Sequence, residues 1–500
     1  MEPSILWYDL ETFGTNPFHD RIAQFAAIRT NFNFEQVGEA HVLYCRPADD
    51  YLPNPEACLV TGIGPTECAE KGIGEYEFAK NIYDIMMVPG TTAVGYNSIK
   101  FDDEFIRNLF YRNLFDPYSR EYENGNSRWD IIDLARAARD LRPGSMNWPL
   151  GENGSPLFKL EALSAANNIA HEHAHDALSD VFATIGIAKM IKTEDPRLFH
   201  WAFSSRNREN LRKLFDLNIR PALVYSAARL TRAEGCTTLI CPLGVPGEKS
   251  RQGRNTILCA DLRYNPREIL NLPAEEIRKR IFLPSPMEDS EHRRFPVYDI
   301  KINRCPFIAP LNTLREGEAA ILGIDIDQCL ARREILLREE ELTTRIREIF
   351  NNPPASTLPD DPDYQIYSSF IKNTDRKQLG PIHEQLEIIA AADTNGRREL
   401  LHTFIPHIQN IKFSERERIG KLLNRLLGRS FGEDLSGKVA KNWRRFCQNR
   451  LIFPLLDEAM DINRFQKTIA ALQETSTLEQ KFILKDLLVY FEALEKRVLK

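Results

Sequence analysis

One short segment near the start of the chain limits the folds that this sequence can form. Residues 4–11, SILWYDLE, combine an apolar run with two acids. Successive side chains of a β-strand point to opposite faces, so Asp9 and Glu11 lie on one face and Leu10 on the other. Two carboxylates on a buried strand are costly unless a positive charge lies between them, and a divalent cation meets that need. A solvent-facing edge strand is the alternative for this segment alone.

The chain is too long for a single hydrophobic core. Its 500 residues predict two to three domains. The first 195 or so residues alternate strand and helix patterns, which predicts an α/β domain. Within it, residues 21–31 are apolar almost throughout, as is typical of a sheet buried on both faces.

The rest of the chain changes character twice. Short β-like segments between about 220 and 310 predict a small β domain with helical insertions. Residues 330–350 predict one long charged helix, and a linker rich in Pro and Asp follows at 351–363. Residues 364–500 are almost entirely helical in pattern, so we expect an all-α region at the end of the chain.

Composition and charge exclude several classes of protein. No segment approaches the roughly 20 apolar residues of a membrane span, and the N-terminus lacks the pattern of a secretory signal, so we expect a cytoplasmic protein without membrane contact. The nine cysteines include no C-x-x-C pair, which predicts reduced structural thiols and neither a zinc ribbon nor a disulfide framework. The net charge of −6 argues mildly against a nucleic-acid binder but leaves room for a local positive groove.

Two further segments place acids and a histidine at the ends of predicted elements. FDDE puts Asp102 and Asp103 at the start of a helix, and HDALSD puts His175 before a helix that carries Asp180. An α/β fold can bring these side chains and the D-x-E pair to one edge of a sheet. The alternative for FDDE is that its acids complement the helix dipole, with Asp103 acting only as a cap.

Four carboxylates in one cleft favour hard cations with oxygen ligands, Mg²⁺ or Mn²⁺. Two such ions about 3.5–4 Å apart can activate a water and stabilise the leaving oxygen of a phosphodiester. The imidazole of His175, with an ordinary pKa of about 6.5, is suited to accept the proton of that water. The pattern predicts metal-assisted phosphodiester hydrolysis. His171 and His173 raise the possibility of zinc, but we interpret them as exposed loop residues.

In this order, D-x-E, F-D before a helix and H-x-A-x-x-D resemble the DEDDh class of 3′→5′ exonucleases, which share a ribonuclease-H-like fold. Longer segments, among them YDLETFGTNP, CRPADDYLPNPEA, NSRWDIIDLARA and AHDALSDVFATIGIAK, are similar to the bacterial exodeoxyribonuclease I family. The resemblance is dense over residues 5–200 and looser beyond them. It implies a mixed-sheet α/β exonuclease domain at 1–195, an SH3-like β domain with helical insertions at 196–351 and an all-α C-terminal domain at 352–500.

The resemblance implies an activity and a set of site residues. The expected enzyme is a Mg²⁺-dependent phosphodiester hydrolase that removes 5′-mononucleotides from the 3′ end of single-stranded DNA, with a role in DNA repair and recombination. Asp9, Glu11, Asp102 and Asp180 match the ligands of two metal ions, with Asp9 bridging them and Mn²⁺ able to substitute for Mg²⁺. His175 matches the general base.

The resemblance also implies contacts with the single strand. The residues that match its strand-binding positions are Glu11, Lys159, Arg107, Tyr118, Tyr122 and Arg136. Arginine suits phosphate contacts and tyrosine suits base stacking, whereas Lys159 stands where relatives often carry arginine and lacks the bidentate fork. Solvated helix charges are the alternative for Arg107 and Arg136, and a packed loop aromatic is the alternative for Tyr118.

The expected partners are single-stranded DNA with a free 3′ end and the acidic tail of single-stranded-DNA-binding protein, for which Arg142 is a candidate contact. A monomer is expected, in which the second and third domains close a groove over the site. Two rival functions stay open. An RNA-directed enzyme of the same class is usually a short single-domain chain, and a non-catalytic clamp would not need the intact acids and His175.

Overall fold

The computed structural model describes residues 2–169, 176–246, 255–283, 294–351 and 358–500. The first sheet has the strand order β3-β2-β1-β4-β5. Its strands are Ser4–Thr12 (β1), Ile22–Thr30 (β2), His41–Tyr44 (β3), Thr91–Gly95 (β4) and Ser127–Asp130 (β5). β1 is antiparallel to β2 and parallel to β4, and β4 is parallel to β5. This mixed sheet confirms the predicted ribonuclease-H-like α/β architecture.

The strand that carries the two acids lies at the centre of this sheet. β1 is paired along one side with β2 and along the other with β4, and most of its residues are buried. The edge-strand alternative for residues 4–11 is therefore wrong. Leu10 packs in a core with Leu6 and Tyr8, whereas Trp7 belongs to a second core on the opposite face. Because side chains alternate, the acids continue the face of Trp7.

Nine α-helices among the described residues come before the strands of the second sheet in the chain. They are Pro55–Thr61 (α1), Pro65–Lys71 (α2), Glu75–Met87 (α3), Asp102–Arg112 (α4), Ile132–Leu141 (α5), Leu160–Ala166 (α6), Ala177–Glu194 (α7), Pro196–Ser205 (α8) and Arg208–Leu214 (α9). α7 packs directly on β1 and β2, and α3 packs on β4. The helices α1 to α8 bury their apolar residues against the first sheet or against a neighbouring helix. Leu211 of α9 instead packs in the core of the second sheet.

The second sheet is entirely antiparallel and has the order β10-β6-β7-β8-β9. Its strands are Leu223–Ser226 (β6), Thr237–Gly244 (β7), Thr256–Asp261 (β8), Val297–Lys301 (β9) and Phe307–Pro310 (β10). The helices of this region are Ala274–Ile281 (α10), Glu316–Ile321 (α11), Ile326–Arg338 (α12) and Glu340–Ile349 (α13). The predicted small β domain with helical insertions is confirmed.

The single long helix predicted for residues 330–350 is wrong. The run is divided at Glu339, whose φ of −100° and ψ of 64° are not helical. The local sequence contains no Gly or Pro, so the break comes from tertiary packing. α13 packs on α10 and β7, contacts that a straight continuation of α12 would not make.

The last part of the chain is helical, as predicted. Its helices are Asn373–Ala391 (α14), Thr394–Gln409 (α15), Arg416–Phe431 (α16), Gly437–Ile452 (α17), Ile462–Thr475 (α18) and Leu478–Leu494 (α19). In the described parts of the chain, none of the helices combines the length and apolar content needed to cross a membrane.

Buried ion pairs join the helical region to the first sheet. Arg429 on α16 is fully buried and lies 2.8 Å from Asp50 and 2.6 Å from Asp363. Arg21, directly before β2, lies 3.7 Å from the same carboxyl of Asp50. Burial alone raises the pKa of Asp50, but the guanidinium groups of Arg429 and Arg21 outweigh it and lower that pKa to about 2. Removing one partner would leave a buried charge unpaired, which is costly, so these pairs specify how the two regions dock.

The SH3-like region packs against the opposite side of the first domain. Arg128 of β5 donates to the carbonyl oxygen of Asn303 at 2.8 Å, and the Trp201 indole on α8 donates to the carbonyl oxygen of Ile308 at 2.9 Å. The carboxylate of Asp140 accepts the backbone N–H of Cys236 at 2.6 Å. Apolar residues of both regions share one core. The first sheet is therefore braced on one face by the helical region and on the other by the SH3-like region.

The nine cysteines are all buried and none forms a disulfide. Burial raises the pKa of their thiols, to about 11 for Cys236 and about 12 for Cys241. Thiols that resist ionisation are poor nucleophiles, which agrees with the predicted structural role.

His383 on α14 provides a test of the contact between the helical region and the first domain. Its ring stacks on Phe115 with centroids 4.3 Å apart, and Nδ1 lies 3.2 Å from the Tyr76 hydroxyl. Burial lowers the pKa of His383 to about 4. Between pH 6.5 and 4 the unfolded chain binds a proton that the folded protein does not, so His383 lowers the free energy of unfolding as the pH falls, by up to about 3 kcal/mol.

We expect His383→Gln to reduce the loss of stability between pH 6.5 and 4. The measurement is denaturant unfolding of the full chain at several pH values. His402→Gln is the matched control, because His402 is exposed on the next helix, and it should leave the pH dependence unchanged. Identical pH dependence in wild type and His383→Gln would contradict the assignment.

Candidate active site

The end of β1 and the start of α7 bring three carboxyl groups together. Oxygen atoms of Asp9, Glu11 and Asp180 all lie within 4.8 Å of one another. Asp9 and Glu11 share a face of β1, and Asp180 is on the first turn of α7, which packs across β1 and β2. The structure thus places residues separated by about 170 positions at one edge of the first sheet.

Asp102 reaches the same cluster from α4. It is the first residue of that helix and is buried. Among the charged neighbours of Asp9, Asp102 does the most to raise its pKa, and the backbone of Leu10 lowers the pKa of both carboxyl groups. The four acids predicted as metal ligands therefore surround the end of one strand.

Like charges dominate the electrostatics of this cluster. Burial, followed by repulsion from Asp102 and Asp180, raises the pKa of Asp9 well above its ordinary range. Burial and the Asp180 and Asp102 carboxylates raise the pKa of Glu11 to about 9. Such a cluster takes up protons or cations to become stable. Four carboxylates are the donor set that hard divalent cations prefer, so these residues fit Mg²⁺ or Mn²⁺.

Asp103, the neighbour of Asp102, has the opposite environment. Its carboxylate accepts hydrogen bonds from the Tyr8 hydroxyl at 2.6 Å, from Arg128 at 2.5 Å and from Arg120. Although burial alone raises the pKa of Asp103, Arg120 and Arg128 lower it well below its ordinary range. Asp103 is more than a helix cap: it is the centre of a buried ion-pair cluster that fixes the start of α4 and thereby the position of Asp102.

Asp130 is a site residue that the sequence did not reveal. It ends β5, and its carboxylate accepts the backbone N–H groups of Asn97 at 2.9 Å, Ile99 at 3.2 Å and Ile132 at 3.0 Å. Asn97 has a left-handed φ of 60°, and this turn leads into α4. Asp130 therefore fixes the turn that directly precedes Asp102. The sequence signal that could have identified Asp130 is an acid directly after the buried strand residues Arg128 and Trp129. β1 shows the same pattern, with Asp9 after an apolar run.

Two further acids increase the negative charge near Glu11. Asp176 and Glu161 both contribute to raising its pKa. Asp176 precedes α7 and Glu161 is on the first turn of α6. Neither was predicted, because isolated acids at helix starts are common in sequences of any function. His175, like His171 and His173, lies outside the described residues.

The predicted strand-binding tyrosines differ in exposure. Tyr122 is 60% exposed, and Tyr118 is half-buried. The ring of Tyr118 packs edge-on against Phe370, with centroids 5.5 Å apart, and the Arg107 guanidinium lies 5.2 Å from its centroid. The two tyrosines line a groove whose other wall is formed by residues 370–374 and Arg376 of the helical region. Lys159 is exposed at the start of α6.

The two predicted strand-binding arginines are buried and paired. Arg107 donates to Glu121 at 2.8 and 3.0 Å and to Glu104 at 3.0 Å. Arg136 donates to Asp133 at 2.5 Å. Only 6% of Arg107 and 8% of Arg136 is exposed, so the alternative of solvated helix charges is wrong for both. A strand contact by either guanidinium would compete with these carboxylates.

The neighbouring acids Asp102 and Asp103 should respond oppositely to neutralisation. Burial and the nearby Asp103 and Asp130 raise the pKa of Asp102, so Asp102→Asn removes an unfavourable charge and should raise the unfolding midpoint of the metal-free protein. Asp103→Asn leaves Arg120 and Arg128 without their shared carboxylate and should lower the free energy of unfolding by about 3–5 kcal/mol.

Chemical unfolding at neutral pH with a chelator present measures both effects. Glu123→Gln, at an exposed acid between the two arginines in sequence, is the control and should change little. A loss of stability in Asp102→Asn as large as that in Asp103→Asn would contradict the assignment.

Comparison with known proteins agrees with this geometry. Three family models match: Exonuclease over residues 6–188, Exonuclease I SH3-like domain over 206–352 and Exonuclease I C-terminal domain over 360–494. Exodeoxyribonuclease I of Escherichia coli is 38% identical over 442 residues, covering 88% of each chain. The Haemophilus influenzae protein of the same name is 36% identical over 449 residues, covering 90% of each chain.

Solved structures show the same similarity over almost the whole length. E. coli exonuclease I in complex with a dA16 oligonucleotide superimposes with a TM-score of 0.88 at 36% identity, covering 99% of this chain and 100% of that chain. The zinc-bound form of the E. coli enzyme with single-stranded DNA, also 36% identical with 99% and 100% coverage, gives 0.86. A moderately thermophilic exonuclease I from Methylocaldum szegediense gives 0.86 at 36% identity, with 98% and 99% coverage. The resemblance noted in the sequence is confirmed, and the chain belongs to the exodeoxyribonuclease I family of exonucleases.

Proposed function

We propose that this protein is a Mg²⁺-dependent 3′→5′ exonuclease that degrades single-stranded DNA to 5′-mononucleotides. The observation that carries the proposal is the meeting of the Asp9, Glu11 and Asp180 carboxyl oxygens within 4.8 Å. Asp102 completes the set of four acids, and burial together with repulsion from neighbouring carboxylates raises the pKa values of Asp9, Glu11 and Asp102. Such a site needs cations, and cations there suit phosphodiester hydrolysis.

The same four acids, Asp9 among them, would hold two Mg²⁺ ions, and Mn²⁺ would be able to substitute. When bound, the ions neutralise the carboxylates, activate the attacking water and stabilise the leaving oxygen. The chain's own contribution is placement: β1 carries Asp9 and Glu11, the first turn of α4 carries Asp102, and the first turn of α7 carries Asp180.

His175 is proposed as the general base for the same reaction. Its imidazole accepts a proton from the water whose oxygen attacks the terminal phosphodiester. The bond between phosphorus and the 3′ oxygen of the preceding nucleotide breaks, and that oxygen takes up a proton from solvent. The products are a nucleoside 5′-monophosphate and a strand shortened by one residue with a free 3′ hydroxyl.

The strand is proposed to reach the acids along the groove lined by Tyr118 and Tyr122. An exposed tyrosine can stack on any base, worth about 1–3 kcal/mol per base. Lys159 is free in solvent to meet a phosphate, and Glu11 is proposed to contact the terminal nucleotide as well as an ion. Arg107 and Arg136 stay predicted strand contacts. In its observed position Arg107 lies over the Tyr118 ring, which supports that tyrosine's orientation.

DNA is favoured over RNA because the similar proteins are named exodeoxyribonucleases and the E. coli structure contains a dA16 oligonucleotide. Several broader expectations stay predictions. They concern a cytoplasmic monomer, a role in DNA repair and recombination, the division into domains at 195/196 and 351/352, and binding of the acidic tail of single-stranded-DNA-binding protein. Arg142, the candidate contact for that tail, pairs with Asp195 at 2.6 Å.

The proposed activity is tested with single-stranded DNA oligonucleotides labelled at either end. With Mg²⁺, a 3′ label should appear in mononucleotides from the first time points, whereas a 5′ label should move through progressively shorter products. A chelator should stop both reactions, and excess Mg²⁺ should restore them. Release of 5′-labelled mononucleotides at early times, or digestion that persists in chelator, would overturn the proposal.

Variants and a second substrate separate the rival functions. Asp9→Asn and His175→Ala should lose most single-turnover activity. His175→Ala should keep strand affinity, because the role proposed for His175 is to accept a proton from water and not to bind the strand. A matched RNA oligonucleotide should be digested more slowly than DNA. Faster cleavage of RNA would favour the RNA-directed rival, and strand binding without hydrolysis in the wild type would favour the clamp.

A further inference from the structure

Gln24 is a buried amide beside the acid cluster. It lies on β2 directly opposite Glu11 of β1 on one side and Tyr44 of β3 on the other. Directly opposed residues of neighbouring strands share a face of the sheet, so Gln24 lies on the face that carries the acids. Only 2% of its surface is exposed.

All the polar atoms of this side chain have partners. Oε1 accepts the backbone N–H of Ala177 at 3.2 Å. Nε2 donates to the Tyr44 hydroxyl at 2.8 Å and to the Asp176 carboxylate at 3.4 Å. The amide therefore connects three elements: β2, β3 and the first residues of α7.

The start of α7 depends on this contact. The first N–H groups of a helix have no partner within the helix, and the N-cap side chain usually accepts one of them. Asp176 is the N-cap of α7, yet its side chain makes no such bond. Gln24 accepts the N–H of Ala177 instead, so the helix is capped from the neighbouring sheet.

We propose that Gln24 is a positioning residue for the metal site, acting through the first turn of α7. Asp180 is on that turn, and its N–H donates to the carbonyl oxygen of Asp176 at 3.1 Å. A displacement at Asp176 and Ala177 would therefore move Asp180, the proposed metal ligand. This inference rests on the function proposed above.

The chemistry of the amide explains why this position is not an acid or an apolar residue. Glutamate has the same size but cannot donate to Asp176 and Tyr44, and it would add a negative charge between Glu11 and Asp176. Alanine would leave the N–H of Ala177 unpaired in a buried place, which is costly. Only a side chain that donates and accepts at once satisfies the three partners.

The test compares Gln24→Ala and Gln24→Glu with wild type in the full chain. Gln36→Ala is the control, since Gln36 is an exposed glutamine just beyond β2. Four quantities are measured: Mn²⁺ affinity by calorimetry, single-turnover DNA cleavage at saturating Mg²⁺, strand affinity in chelator, and the unfolding midpoint.

We expect Gln24→Ala and Gln24→Glu each to lower Mn²⁺ affinity or the single-turnover rate by about 10–100-fold, as for other residues that orient metal ligands. Strand affinity should stay within about twofold of wild type, because neither substitution touches the strand groove. Gln36→Ala should match wild type in all four measurements. If Gln24→Ala does not fold, the isosteric Gln24→Glu carries the test.

Three results would overturn the inference. The first is that Gln24→Ala has the same Mn²⁺ affinity and the same cleavage rate as wild type. The second is normal behaviour of Gln24→Glu, which would show that only side-chain volume matters. The third is a fall in strand affinity as large as the fall in rate, which would indicate general damage. A wild-type protein that binds Mn²⁺ and strand but cleaves nothing would instead refute the proposed function, and the Mn²⁺ affinities would still test Gln24.

Discussion

Repulsion among buried carboxylates at the end of β1 is the constraint on which the rest of this structure depends. Asp9 and Glu11 lie on the central strand of the sheet, where water cannot screen them fully. Asp102 and Asp180 come from two helices and add to the same charge. A fold that gathers such groups must hold them rigidly, because each would relax away from the others if its element could move.

The surrounding structure supplies that rigidity with paired charges and buried hydrogen bonds. Asp103, held by Tyr8, Arg120 and Arg128, fixes α4. Asp130 fixes the turn before α4 by accepting three backbone N–H groups. Arg128 also donates to the SH3-like region, and the Arg429 ion pairs dock the helical region on the other face of the sheet. The second and third regions thus stabilise the site, and the third also forms one wall of the groove lined by Tyr118 and Tyr122.

Much of this arrangement could be predicted from the sequence, because the four acids fall at the ends of strongly patterned elements. The alternation of side chains along β1 places Asp9 and Glu11 on one face of that strand. The predicted helix starts at Asp102 and just before Asp180 then bring the other two acids to the same edge of the sheet. Gln24 gave no signal, since one amide within an apolar run looks like a tolerated polar residue. The carboxylate partners of Arg107 and Arg136 could not be predicted either, because tertiary contacts choose among many nearby acids. The break at Glu339 has the same origin: packing, and not the local sequence, ends α12.

The most direct test of the account is the effect of divalent cations on the stability of the metal-free protein. If the four acids form a cation site, the unfolding midpoint should rise as Mg²⁺ or Mn²⁺ is added. The free energy of unfolding should increase by about 2.7 kcal/mol at a cation concentration 100 times the dissociation constant. Asp9→Asn should start from a higher midpoint and lose most of this rise, because repulsion and the central ligand are removed together. A wild-type midpoint that does not respond to either cation, or an equal rise in Asp9→Asn, would contradict the account.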